Sequence, residues 1–354
     1  MKRPIYKRFW FYGVVFALAL VLSARLILPW VVLNQVNAQL ASFSPLYALH
    51  IRDANLNLWR MAYGGIDTRG VLKKDASEFL YVKSFDVSLA FRELLRGRMV
   101  VDVDIEEARV TLSTDILRAV VGYGAEKTTK DAKNVKDSTV PFDLERLRLK
   151  DSSIFFSDIP GLPQEQSFHL TELSAEGLNL TPQKKDGLSL YTAQGKIQKT
   201  ADLTFLAQVR PNAEPVEWSL RTELRRLELR LINPIAGRMI PLTFSSGELS
   251  AYFAARSQKN DLQGYVKPFF KDTHLVGDAR DFKGGRHFIF ELLASAGNVL
   301  LKNSRSKAFA TKIPFKSVKN GKVRVDIGKA ISVSLDNAIG NPIAPGMDET
   351  LDLK

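Results

Sequence analysis

Cysteine is absent from this chain. That excludes a disulfide framework and thiolate chemistry. Histidine is scarce. His50, His169, His274 and His287 are the only four, and they stand far apart without ligand spacing, as ordinary polar-face residues do. The usual grammar of catalysis is also missing. There is no Gly-x-Ser-x-Gly, no His-Glu-x-x-His, no Gly-x4-Gly-Lys and no Gly-x-Gly-x-x-Gly. The expectation is a protein that is not an enzyme and that carries no cofactor and no metal.

What is present begins with charge. Lys and Arg number 50 against 38 Asp and Glu, for a net charge of +12. An anionic partner suits that balance. Lys2, Arg3, Lys7 and Arg8 precede an uncharged apolar run over residues 9–22, which resumes over 26–33 after Arg25. As one helix, residues 9–30 would span roughly 33 Å, enough for a bilayer core of about 30 Å. Trp10 and Trp30 stand where interfacial aromatics belong, and Arg25 is placed to snorkel to the far interface. The basic flank predicts a cytoplasmic N-terminus with the bulk of the chain translocated. The rival is a cleaved signal peptide, for which residues 21–23 offer a small-residue site.

Beyond the anchor, one pattern repeats. Residues 147–156 place apolar side chains at Leu147, Leu149, Ile154 and Phe156, with Asp151 and Ser152 between. Leu49, Ile51, Leu56 and Leu58 flank Asp53 and Ala54 in the same way, and Val103, Ile105, Val110 and Leu112 flank Glu107 and Ala108. A weaker copy runs from Leu242 through Ser246 and Gly247 to Leu249 and Ala251. Spacing of two predicts strand, but the step from the second apolar residue to the third is odd. A two-residue hairpin or a β-bulge would each reset the phase and leave all four side chains on one face. The expected organisation is a cytoplasmic tip (1–8), a transmembrane anchor (9–33), a helical stem (34–44) and a first β segment (45–124). A flexible linker poor in apolar residues (125–140), a second β segment (141–275) and a C-terminal helix, hairpin and short helix (276–354) follow.

Two charged clusters fit bland roles. Asp102, Asp104 and Glu106 alternate with Val101, Val103 and Ile105, as the wet side of a half-buried strand requires. Arg92, Arg96 and Arg98, and Arg221, Arg225, Arg226 and Arg230, are basic clusters without interleaved aromatics, so no nucleic-acid partner is expected. The apolar strand faces remain, either as the core of a closed sandwich or barrel or as the inner face of an open trough.

The arrangement resembles the AsmA-like superfamily of Gram-negative envelope proteins, and most closely a single-anchor branch of it. The resemblance rests on the run from Tyr47 through Ile51 and Asp53 to Trp59 and Arg60, then Tyr63, Gly64 and Gly65. Gly264 through Phe270, the stretch from Leu335 to Gly340, and Pro345 with Gly346 complete it. It implies an N-terminal transmembrane helix followed by a curved antiparallel β-sheet, groove-like and built from repeated strand units. The implied place is the inner membrane, single-pass, with the bulk periplasmic. The implied role is binding or transfer of phospholipid acyl chains for outer-membrane lipid homeostasis. The partners would be phospholipids, the inner membrane, and outer-membrane or periplasmic proteins or a second copy. Lipid contact is then expected at Leu49, Ile51, Leu56, Leu58, Val103, Ile105, Val110 and Leu112, and at Leu147, Leu149, Ile154, Phe156, Leu180 and Phe205. The alternative is an envelope scaffold or assembly factor with a closed core. The chain departs from the long groove proteins in size, since about fifteen strands at ~4.8 Å span only ~70 Å.

Overall fold

The computed structural model describes residues 12, 16, 29–41, 44–57, 62–113, 116, 142–157, 168–182, 186–233, 243–276, 308–310, 312–318, 322–325, 345–347 and 351–353. Strand dominates them. Most of the expected anchor lies outside these residues, as do Leu58, the linker and both C-terminal helices. Among the described residues, no helix is long and apolar enough to cross a membrane. The chain divides into two compact units, Met1–Val110 with Asp115–Pro141, and Thr111–Thr114 with Phe142–Lys354.

In the first unit, residues 29–41 are helical (α1) and include the expected stem as far as residue 41. A cation meets the main chain where the described helix gives way to β1, as a helix C-terminus favours. Lys73 Nζ donates to the oxygens of Ala41 (2.9 Å) and Ser44 (2.7 Å). The strands are β1 (Tyr47–Asn57), β2 (Ala62–Leu72), β3 (Glu78–Leu89) and β4 (Met99–Leu112), each antiparallel to the next. A short helix α2 (Phe91–Leu94) links β3 to β4. Gly97 follows it at φ 76°. Helix α1 guards the outer edge of β1. Asn37 Nδ2 donates to Ile51 O, and Asn37 Oδ1 accepts from Ile51 N, both at 2.8 Å. One side chain thus does what a neighbouring strand would do, and an exposed edge is blunted.

The second unit holds β5 (Phe142–Phe156), β6 (Phe168–Leu178), β7 (Ser189–Ile197), β8 (Ala201–Arg210), β9 (Glu217–Glu228), β10 (Thr243–Gln258) and β11 (Asp261–Val276). β12 (Ala308–Ala310), β13 (Ile313–Val318) and β14 (Lys322–Val325) complete it. Neighbours follow chain order from β5 to β11, then β13 and β14, with β12 also on β11. These pairs are antiparallel, and among the described residues β5 and β14 do not meet, so the sheet is open. The expected C-terminal hairpin corresponds to β13 and β14. A 3-10 turn at Leu229–Ile232 buries Leu229 completely. Asn233 then repeats the device of Asn37, exchanging two 2.8 Å bonds with the main chain of Phe244.

The hairpin alternative for the repeat fails, because β4, β5 and β10 run unbroken through it, as does β1 to Asn57. The phase is reset inside the strand by a left-handed residue. Glu107 (φ 50°) does this in β4, Asp151 (φ 46°) in β5 and Gly247 (φ 124°) in β10. In β1 the acid Asp53 is not left-handed; Asp67 (φ 54°) on the paired strand β2 is. Glu172 in β6, Arg226 in β9 and Asp272 in β11 add further members. In the second unit the ladders shift register around these residues, between Leu149 and Ser152, Thr171 and Ser174, and Leu249 and Ala251. This is bulge geometry, which bends a strand and tightens its twist.

Candidate functional site

Antiparallel partners share a face, and so do residues two apart on a regular strand. β7 is the reference for the second unit, since no left-handed residue interrupts it. Tyr191, Ala193 and Ile197 therefore share one face. Register carries that face outward. Leu147 lies opposite Gly177 and thence Tyr191, Leu149 opposite Ala175 and thence Ala193, and Ile154 opposite Leu170 and thence Ile197. Phe156, two residues beyond Ile154, lies opposite Phe168. The bulge at Asp151 thus brings both halves of the repeat onto one side. In the other direction Ala193 faces Phe205, followed by Thr222, Phe253, Val266 and Ile313. Leu180 joins from beyond its strand, its methyls filling the notch over Gly177, where an added Cβ would lie 2.7 Å from Leu180 Cδ2.

This apolar face is not sealed. Leu149, Ile154, Phe156, Leu180, Phe205 and Phe253 are half-buried, and Leu147 is 37% exposed. All strands of the unit belong to the one sheet, which leaves no second sheet among the described residues to stack on it. The opposite face is the more polar one, with Arg148, Glu176, Thr192, Gln194, Thr204, Gln208 and Arg256 set among Leu178, Leu190, Leu206 and Ala254. Over β8–β11 that polar side is the covered one. Residues 345–347 and 351–353 cross it as a strap. Gly346 O accepts from Lys267 Nζ (3.1 Å), Met347 Sδ from Tyr265 Oη (3.4 Å), and Asp352 O from Arg256 Nη1 (3.3 Å). Leu353 N donates to Gln208 Oε1 (3.1 Å), and Arg221 is ion-paired with the Asp352 carboxylate. Beneath the strap, Tyr252, Ala254, Tyr265 and Lys267 are buried, Lys267 to 1% exposure. On the apolar face the small residues Ala201, Ala207 and Ala255 are buried while the larger side chains stay half open. A recess of about 450 Å3 also opens on the polar side of β5–β8, around Arg148, Glu176, Thr192 and Gln194.

The first unit shows comparable rows. Leu49 aligns with Gly70, Leu80 and Val110; Ala54 with Gly65, Phe85 and Ile105; Leu56 with Tyr63, Val87 and Val103. All the expected contact residues among these are half-buried, as is Leu112 at the end of β4. Ile51 differs. Its row, with Thr68, Val82 and Ala108, is buried throughout, so Ile51 at 2% exposure is core. Tyr63 places a phenol in an apolar row. Its Oη is buried without a hydrogen-bond partner, and burial pushes its pKa up.

A charged seam follows the bulges. In the first unit Arg52 pairs with Asp67 (2.9 Å) and Lys83 with Glu107. In the second, Glu172 pairs with Lys196 (2.7 Å), Lys196 lies opposite Asp202, and Asp202 pairs with Arg226. The hydrogen bond from Arg226 holds the Asp202 carboxyl below its ordinary range, and the bond to Glu172 raises Lys196. The left-handed acids Glu107 and Glu172 are therefore each bonded to a lysine on the neighbouring strand.

Among the described residues, no group of three His, Asp or Glu side chains could hold a metal ion. His50 and His274 are exposed, His169 lies edge-on to Phe155 at 4.9 Å, and His287 is outside the described residues. Asp102, Asp104 and Glu106 face Ser88, Asp86 and Ser84 across the ladder. Sequence reasoning missed the strap and the seam. The acid at the centre of each repeat was the one available signal for the seam. Compared with known proteins, the chain matches no family model and no curated protein.

Proposed function

We propose that this chain is an inner-membrane-anchored periplasmic protein whose apolar sheet face binds phospholipid acyl chains and helps transfer them for outer-membrane lipid homeostasis. The observation that carries the proposal is the half-exposed apolar face running from Leu147 and Ile154 through Phe205 to Phe253, on a sheet whose more polar side is strapped over β8–β11. The resemblance to the AsmA-like superfamily and the apolar N-terminal run support the same role and place. No bond is broken in this mechanism. Each methylene moved from water onto such a face gains about 0.8 kcal/mol, so roughly eight would supply ~6 kcal/mol. The curved, groove-like form of the sheet belongs to the proposal, since curvature would wrap the chain and bury more of it.

The test is lipid co-purification. The full chain, extracted in mild detergent, is expected to carry phospholipid. Phe205→Arg should lose the lipid while keeping a protease-resistant, strand-rich fold, because water reaches that position once lipid leaves. A wild-type chain free of lipid, together with an Arg variant that unfolds, would identify the face as a closed core and favour the scaffold alternative.

A further inference from the structure

The link from β3 to β4 carries its apolar side chains outward. The Leu95 amide donates to Phe91 O (3.1 Å), so Phe91 and Leu95 stand one turn apart on one side of α2. Phe91 is 56% exposed, and Leu95, at 73%, is the most exposed large apolar residue among those described. An added Cβ at Gly97 would meet nothing within 4 Å, so the space beside this tip is open. Arg92, Arg96 and Arg98 are exposed within the same short stretch. The one acid of the tip, Glu93, is turned back onto Arg96 (2.6 Å) and Arg98 (3.4 Å). The strand acids stand behind it, Asp102 opposite Ser88 and Asp104 opposite Asp86. Helix α1 points to the same end of the unit. Ala41 is tied to Lys73, whose amide meets Leu46 O (3.0 Å) just before β1. Asn37, one turn earlier in the helix, already reaches Ile51, further along β1. α1 thus runs against β1, and its exposed Trp30 and Val31 lie toward the end where Asn57, Ala62 and Ser88 align. α2 begins just beyond Ser88.

We propose that the α2 tip is a second membrane contact of the first unit: Phe91 and Leu95 enter the headgroup region of an anionic phospholipid bilayer, and Arg92, Arg96 and Arg98 meet its phosphates. A membrane interface holds such a segment, since the apolar groups leave water while the guanidiniums stay hydrated. Arginine also matches phosphate oxygens in pairs. Asp86, Asp102 and Asp104 limit the depth, because their carboxylates are costly to bury in lipid. The contact is therefore interfacial. The inference rests on the membrane-anchored reading of the chain, because the anchor brings this end of the unit to a bilayer. Two attachments then fix the orientation of the unit. They set its half-buried row of Leu56, Tyr63, Val87 and Val103 at the membrane end, where an acyl chain leaving the bilayer would first meet it.

The absence of cysteine makes the test direct. Leu95→Cys puts a single thiol on the tip, with Phe91→Cys as a second variant, and each is labelled with the environment-sensitive fluorophore nitrobenzoxadiazole. Lys74→Cys, on the turn between β2 and β3 at the opposite end of the sheet, is the control. The full chain is reconstituted in nanodiscs of phosphatidylcholine with or without phosphatidylglycerol. With phosphatidylglycerol, the tip probes should emit blue-shifted and be quenched by lipids carrying a headgroup nitroxide, while the Lys74 probe stays water-like. Arg92→Gln should lower the docked-to-free ratio of the Leu95 probe about five-fold, the weight of one basic residue at an anionic surface. Raising the salt concentration should act in the same direction. Water-like tip probes in a chain that has entered the discs would overturn the proposal and leave the anchor standing. A blue shift without quenching by lipid would overturn it in favour of a protein covering the tip. Equal docking in pure phosphatidylcholine would overturn the anionic surface as the partner. A chain that does not enter the discs would refute the anchor, and this inference with it.

Discussion

Asp151 offers a test of the bulge in which the usual residue order reverses. Its φ is 46° in the middle of β5, and its side chain is exposed. An L-residue held there costs about 1–2 kcal/mol, most for β-branched side chains and least for Asp, Asn and Gly. In a regular strand, Val is more stable than Gly by about 1 kcal/mol. At Asp151 the order should invert. Asp151→Gly should be neutral to about 1 kcal/mol stabilising, since relief of strain is offset by ~0.5–1 kcal/mol of backbone entropy. Asp151→Val should destabilise by about 1–2 kcal/mol, leaving the two variants ~2 kcal/mol apart. In a unit of this size that separates their Tm values by about 4–8 °C. Urea denaturation with an unchanged m-value would read the difference as stability. A Val variant more stable than the Gly variant would show that β5 does not bulge here. Leu147 and Ile154 would then fall on opposite sides of the sheet, and the single apolar face would be lost.

Three further outcomes are expected. Asn37→Ala removes both bonds to the Ile51 main chain, which should cost about 1–3 kcal/mol and expose the edge of β1, seen as concentration-dependent association in size-exclusion chromatography. Leu147→Arg should be mild: with 37% of the residue already exposed, roughly two thirds of a leucine's ~1.5–3 kcal/mol is at stake, about 1–2 kcal/mol, and a loss above ~3 kcal/mol would mean the site is core. The lowered pKa of Asp202 means its pairing with Arg226 favours the folded state above the ordinary carboxylate range and loses that contribution as pH falls through the depressed value. Asp202→Asn should flatten that acidic limb of the stability profile, and an unchanged limb would remove Asp202 from the seam's electrostatics.

Much of the sheet was legible because alternation is a local property. The spacing of Leu147, Leu149, Ile154 and Phe156 predicts strand and a phase reset, and Asp151 marks where it falls. What the pattern could not show is how the reset is made, since a hairpin and a bulge need the same letters. β2 was illegible for another reason. Gly64, Gly65 and Gly70 resemble loop, yet an added Cβ at Gly65 would lie 2.2 Å from the Phe85 ring, and one at Gly70 would lie 2.9 Å from Leu49 Cδ2. Those glycines make room for neighbours on other strands, which is a tertiary fact. Lys267 is another such case, a charge that reads as exposed but lies under the strap. The strap itself has no periodicity, and its partners Gln208, Arg221, Arg256 and Tyr265 are remote in sequence. Among the candidate contact residues, half-burial is likewise set by what does or does not lie above the face, so Ile51 and Leu49 look alike in sequence and differ in the fold.

The central claim is tested most directly by two adjacent residues on opposite sides of β8. Phe205 faces Ala193 and Thr222 on the apolar side, and Thr204 faces Gln194 and Glu223 on the polar side. A photo-crosslinking residue placed at each position in turn, in living cells, should capture phospholipid from Phe205 and not from Thr204. Capture from neither position, or equally from both, would contradict an acyl-binding apolar face.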